Sequence, residues 1–144
     1  MKIKLTTDYA IRVVFYMYNK RQEGNEVITS NAIAKEESIP HGVLMKVLKE
    51  LRESRIIASH QGRGEISGGY TLASSLKQIT ILDIVEIMEG PIALENVRKR
   101  GAKEEEPVEE NGILQEYRRV SEGLRNEMRK VTLYEVLHKT ADEK

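Results

Sequence analysis

Thiol is missing from this chain and imidazole is scarce. Cysteine is absent, and the three histidines, His41, His60 and His138, are far apart in sequence. The missing cysteine excludes disulfides, thiol nucleophiles and every cysteine-ligated metal or cluster site. No histidine pair has the spacing that would set two ligands on one helix face. Neither paired carboxylates nor a nucleophile–base set emerges, and the glycine run at 62–69 lacks the Lys-Ser/Thr ending of a phosphate-binding loop. What remains is a group of cations and hydrogen-bond donors. His41, Met45, Lys46, Lys49 and Arg52 fall opposite an apolar stripe of Val43, Leu44, Val47, Leu48 and Leu51, and Arg63 stands between Gly62 and Gly64. Such groups suit phosphates and base edges, with Arg63 able to enter a narrow groove of concentrated negative potential.

These residues must be held by their elements. Ala10, Ile11, Val14, Phe15 and Tyr18 recur at helical spacing, which predicts an amphipathic helix over 7–20 with Thr6 as its cap. Val27-Ile28 is too short for a strand alone but can pair with a later segment. Thr29 caps a short helix carrying Ala32, Ile33 and Ala34. Ser38-Ile39-Pro40 ends it, and Pro40 opens a helix over 40–54. Two helices joined by so short a turn make a helix-turn-helix. Residues 56–61 have strand character, 62–69 form a glycine-rich tip, and Tyr70-Thr71-Leu72 returns, which predicts a hairpin with a basic tip.

Downstream, Thr80 and Asp83 have the spacing of a capping box, and Gly90-Pro91 stops the helix they open. Residues 96–111 are almost wholly polar. Their acidic run, 104–110, reads as a solvated loop in preference to a cation site. A long helix over 112–130 carries Ile113, Tyr117, Val120, Leu124, Met128 and Val131 as a narrow seam. That seam suits a helix pair between subunits, or a helix lying on its own domain. Thr132 and Glu135 again have capping-box spacing. The fold class is therefore mainly α with a small β-hairpin wing, a winged helix-turn-helix followed by a long C-terminal helix. Residues 1–92 form the first unit, 93–111 an acidic polar loop, and 112–144 the long and terminal helices.

The 144 residues carry 23 cations and 23 carboxylates, but residues 1–63 hold eleven Lys/Arg against seven Asp/Glu, a balance of +4. A basic front half agrees with a polyanion-facing surface. No stretch approaches the ~20 apolar residues of a membrane helix. The first residues have neither an apolar run nor a cleavage site, so a cytoplasmic protein is expected.

Four stretches resemble the Rrf-two family of bacterial winged-helix regulators. They are Leu5-Thr6-Thr7-Asp8-Tyr9-Ala10-Ile11-Arg12; Ile33-Ala34 followed by Ser38-Ile39-Pro40 and 44–51; Arg63-Gly64 with Gly68-Gly69-Tyr70-Thr71-Leu72; and 79–85 with Glu89-Gly90-Pro91. The resemblance implies a dimeric transcription regulator that binds double-stranded DNA. It implies that His41, Gly42, Met45, Lys46 and Lys49 lie near bases or phosphates and that Thr6, Thr7 and Tyr9 contact the backbone. By the same likeness, the helix bearing Ile113, Tyr117, Val120, Leu124, Met128 and Val131 makes the homodimer. Members that sense iron or nitric oxide carry three cysteines before the long helix, whereas 96–111 has none. The chain thus resembles the cysteine-metabolism repressor branch more than the iron–sulfur branch, and no cofactor is expected.

A small-molecule or protein effector is compatible with this reading, as is a cavity beside the long helix. Val43 stands where many relatives have an aromatic, and Glu65-Ile66-Ser67 lengthen the wing. Two other functions are open to the same residues. One is a winged helix that grips a protein and never touches DNA; the other is an enzyme, for which no reacting set has been found.

Overall fold

The structure, a computed structural model, describes residues 2–64, 68–94 and 112–142. The expectations for the acidic loop at 96–111 and for the insertion Glu65-Ile66-Ser67 lie outside the described residues. Chain order runs α1 (Leu5–Gln22), α2 (Ser30–Glu37), α3 (His41–Glu53), β1 (Ile57–His60), β2 (Gly69–Leu72), α4 (Ile81–Glu89), α5 (Gly112–Arg129) and α6 (Leu133–Asp142).

The core is built from one stripe of each early helix. Ala10, Val13, Val14 and Met17 of α1 meet Ile33 of α2 and Leu44, Val47, Leu48 and Leu51 of α3, all almost wholly buried. Ile79 and Ile84 close it from the α4 side. α1 begins two residues earlier than its periodicity predicts. Lys4 occupies the cap without a side-chain hydrogen bond, so Thr6 lies inside the first turn and is not the cap. The other caps form at the expected residues. Thr29 Oγ1 accepts from the Ala32 amide at 3.2 Å, and Thr80 and Asp83 close both arms of their box at 2.9 and 3.1 Å. Pro40 stands just outside α3 as its N-cap.

β1 and β2 pair antiparallel, Ile57 opposite Leu72 and His60 opposite Gly69. Ile28 adds a bridge to Tyr70, with hydrogen bonds of 3.0 and 2.8 Å in the two directions. The pairing anticipated for Val27-Ile28 is thus with the returning wing strand. It explains Gly69: a Cβ there would lie 2.6 Å from the Ile28 carbonyl oxygen, so only a bare backbone lets the strand approach.

The C-terminal region is not a separate core. Leu133 is fully buried among the residues of the first unit. Around it, Ile81 N donates to Val131 O at 2.9 Å, Leu133 N to Ile79 O at 2.8 Å and Tyr134 N to Leu76 O at 3.2 Å. The boundary read at residue 112 therefore marks a change of element, with α6 folded into the winged-helix core. Among the described residues, no helix is long and apolar enough to cross a membrane.

Candidate nucleic-acid interface

α3 owes its two faces to helical geometry. At about 100° per residue, His41, Gly42, Met45, Lys46 and Lys49 occupy an arc of roughly 140°, and Leu44, Val47, Leu48 and Leu51 fill the opposite side. The structure obeys this division. The first five are exposed, Met45 to 39%, and the four apolar residues are buried. Burial of the leucine and valine side anchors the helix, so among the described residues the cationic side is held outward without any polar contact of its own. Arg63 is exposed at the hairpin tip beside Gly64, whose φ of +61° suits a residue without a Cβ. The five α3 residues thus share one face, while Arg63 reaches the surface from a second element.

The turn before α3 is held by contacts that no local pattern reveals. Ser38 adopts a left-handed conformation, φ 52°, and the Ile39 amide donates to Ala34 O at 3.1 Å. The Arg12 guanidinium donates to the Glu37 backbone carbonyl and, at 3.2 Å, to its carboxylate, while lying 5.5 Å from the centre of the Tyr9 ring. Arg12 therefore ties α1 to the end of α2, just before the turn that leads into α3. Its partner is 25 residues away, so only its place in the motif Leu5–Arg12 marked it.

Three residues of α1 were expected at a ligand's backbone. Thr6 is half-buried in the first turn. Tyr9 is half-buried against the core and carries Arg12 on its ring, so packing occupies much of its surface. Thr7 departs from the expectation. Its side chain is wholly buried and its hydroxyl donates to Glu89 Oε2 at 2.9 Å, leaving it no exposed surface to offer. The Lys4 amide donates to Glu89 Oε1 at 3.3 Å. Glu89, the last residue of α4, thereby holds the start of α1, a role that sequence alone did not suggest.

Electrostatics add two shifted groups, both beside α2. Burial first, then the carboxylates of Glu36, Glu37 and Glu23, push the Tyr16 phenol up to about 12. Lys20 is raised by its hydrogen bond and ion pair with Glu23, then by Glu36.

The long helix separates its two apolar duties by angle. Leu114, Ser121 and Arg125 face the winged domain in an arc of roughly 40°, whereas the predicted seam lies beside them in an arc of about 80°. Ser121 Oγ accepts from the Leu94 amide at 2.7 Å, and Arg125 pairs with Glu86 at 3.2 Å. Ile113, Val120 and Leu124 remain exposed at 53, 47 and 37%, while Tyr117, Met128 and Val131 are partly covered. Contact with its own domain thus uses a different stripe, and the seam is left largely free.

His60 and His138 serve locally. The first sits 2.8 Å from Thr71 Oγ1 across the hairpin, and the second donates from Nδ1 to the Tyr134 carbonyl at 2.9 Å. Among the described residues, no three His, Cys, Asp or Glu side chains are grouped to hold a metal.

This architecture is shared. A family model described as "Rrf2: Iron-dependent Transcriptional regulator" matches residues 3–139. An HTH-type transcriptional regulator of Mycobacterium tuberculosis is 30% identical over 93 residues, 65% of this chain and 55% of that protein. The chain thus matches little more than half the length of that relative. CymR, an HTH-type transcriptional regulator of Bacillus subtilis, is also 30% identical over 93 residues, which cover 64% of its length. In three dimensions, the structure of CymR as "the Global Cysteine Regulator of B. subtilis" superposes with a TM-score of 0.67 at 24% identity, covering 94% of this chain and 95% of that one. T. potens IscR superposes with a TM-score of 0.73 at 18% identity, covering 100% and 91%. At these identities the superpositions establish the winged-helix fold. The iron in the family's description has no thiolate to bind here, because the sequence contains no cysteine. A cysteine-ligated iron–sulfur cluster therefore does not fit this chain. The relatives are transcription regulators and not enzymes.

Proposed function

Because the chain belongs to the Rrf2 family of transcriptional regulators, we propose that it is a homodimeric, sequence-specific repressor that binds double-stranded DNA in the cytoplasm without an iron–sulfur cluster. The observation that carries this is the exposed face of α3. His41, Gly42, Met45, Lys46 and Lys49 project from a helix whose other side is sealed in the core. A helix of this width fits the major groove, where each base pair presents its own donor and acceptor pattern. Arg63, at the hairpin tip, is the group for the adjacent minor groove. Thr6 and the rim of Tyr9 lie at the phosphates. Thr7 has no part in the contact, and acts through Glu89 in holding the start of α1.

The exposed seam of Ile113, Val120 and Leu124, continued by Tyr117, Met128 and Val131, pairs with its copy on a second subunit. Two reading helices related by a twofold axis call for a pseudo-palindrome with half-sites about 34 Å apart. An effector, small molecule or protein, sets when the operator is released.

The test is fluorescence anisotropy on labelled promoter fragments from the source genome, across a salt series. One or a few fragments bind tightly, and log affinity falls with log salt by about 0.9 for each phosphate neutralised. Absent or salt-insensitive binding to every fragment rejects the proposal, as does retention of full affinity when Lys46, Lys49 and Arg63 are all changed to glutamate.

A further inference from the structure

A groove of about 600 Å³ opens on a part of the molecule that the DNA reading does not use. Its walls come from the end of α1 (Tyr18, Arg21, Gln22), the segment leaving β2 (72–77) and Tyr134 at the start of α6. Leu76, 2% exposed, lies at its base. We propose that this groove binds a small organic anion, a carboxylate or phosphate carried on a planar body.

Charge is the first argument. Carboxylate side chains equal cations in the chain as a whole, yet this groove is lined by Arg21 and Lys77 and by no acidic residue. Among the described residues, neither of the two cations has an ion-pair partner. Neighbouring Lys20, by contrast, is paired with Glu23 and Glu36. Two unpaired like charges lining one groove repel, and an anion bound there reduces that repulsion while gaining charge-assisted hydrogen bonds. With no carboxylate in the lining, an ammonium group would meet no counter-charge, so free amino acids are poor candidates.

The second argument is that the donors are placed. Lys77 Nζ sits 4.8 Å from the centre of the Tyr134 ring. The Lys77 amide donates to Ser75 Oγ at 3.2 Å, which leaves that hydroxyl's own hydrogen to donate. Ser74 spends its hydrogen on Arg55 O at 3.0 Å and can only accept. Tyr18 adds aromatic surface on the α1 wall, which favours a planar body over a bare inorganic ion, while the Tyr134 ring already carries Lys77 and, at 4.0 Å, His138. Because Leu72 ends the second wing strand, a ligand here would also touch the base of the wing.

The experiment needs no DNA, so its failure and that of the DNA reading are separable. Full-length, ¹⁵N-labelled protein is titrated with adenosine monophosphate, benzoate and, as the uncharged control, adenosine. The proposal expects at least one of the two anions to shift the amides of Arg21, Gln22 and Ser74 to Lys77, and adenosine to leave them in place. Arg21→Gln and Lys77→Gln, both at exposed positions, weaken that anion about tenfold each. A melting curve on each variant verifies folding, and conservative Lys77→Arg retains binding. Which anion binds tells phosphate from carboxylate. Shifts confined to α3 and the wing, equal shifts with adenosine, no shifts with either anion, or variants that bind as well as the parent overturn the assignment.

Discussion

Among the described residues nothing pairs with Lys46 or Lys49, and both stand exposed on α3, so in the proposed complex they contribute to DNA binding through charge. Replacing either with alanine lowers the salt slope of DNA binding by about 1 and weakens all sequences alike. Met45, apolar and 39% exposed, acts differently. It has no charge to neutralise, so Met45→Ala alters the preference among sequences and leaves the slope unchanged. Anisotropy at several salt concentrations separates the two behaviours. Glu89 offers a sharper stability test, since it satisfies a buried hydroxyl. Glu89→Ala orphans Thr7 Oγ1 and costs about 1–3 kcal/mol in urea unfolding. Tyr16 gives a pH signature. Its folded pKa, about 12, lies above the unfolded 10.0, so the unfolded state releases the proton first. The stability it contributes is whole below pH 10 and is lost as pH rises through 12. Tyr16→Phe flattens that alkaline limb, a change that circular dichroism in urea at stepped pH detects.

Elements were legible where a cause lies within a few residues. Thr80 and Asp83 are three apart, and their reciprocal bonds form as the spacing requires; Thr80→Ala costs about 1 kcal/mol by the same unfolding measurement. The α3 stripe is equally local, because burial of four apolar residues decides which side stays wet. Contacts closed by folding were not legible. Thr7 was expected at a DNA backbone by family resemblance alone, but its hydroxyl is taken by Glu89, 82 positions away. Arg12 and Glu37 escaped for the same reason, at a separation of 25. The helix boundary at Leu5 was missed because the cap there is Lys4, which makes no side-chain bond and leaves no signature. The seam of α5 was visible as a period. Its distinction from the intramolecular stripe was not, because Leu114 and Ser121 say nothing in sequence about which neighbour they meet.

At the scale of the whole molecule, α3 and α5, the helices proposed to face DNA and the second subunit, share one body. Leu133, buried in the common core, joins α6 to it, and the Thr80–Thr132 bridge lies just past the end of α5. Leu124→Asp puts a carboxylate in the proposed seam without touching the core. Sedimentation velocity should then report a monomer that melts as the parent does, with operator affinity reduced by about two orders of magnitude or more as the second half-site is lost.

In the proposed dimer, the clasp between α5 and its own domain also limits how much variation an operator is allowed. Ser121 and Arg125 fasten the helix midway, and the backbone bonds around Val131 and Leu133 fasten it at the foot. A subunit gripped at these two heights resists following a target of altered length. One additional base pair between half-sites turns the second site by about 34° and displaces it by about 3.4 Å. This protein would have to bend the DNA to recover both, and so should discriminate among spacings as strictly as it does among letters.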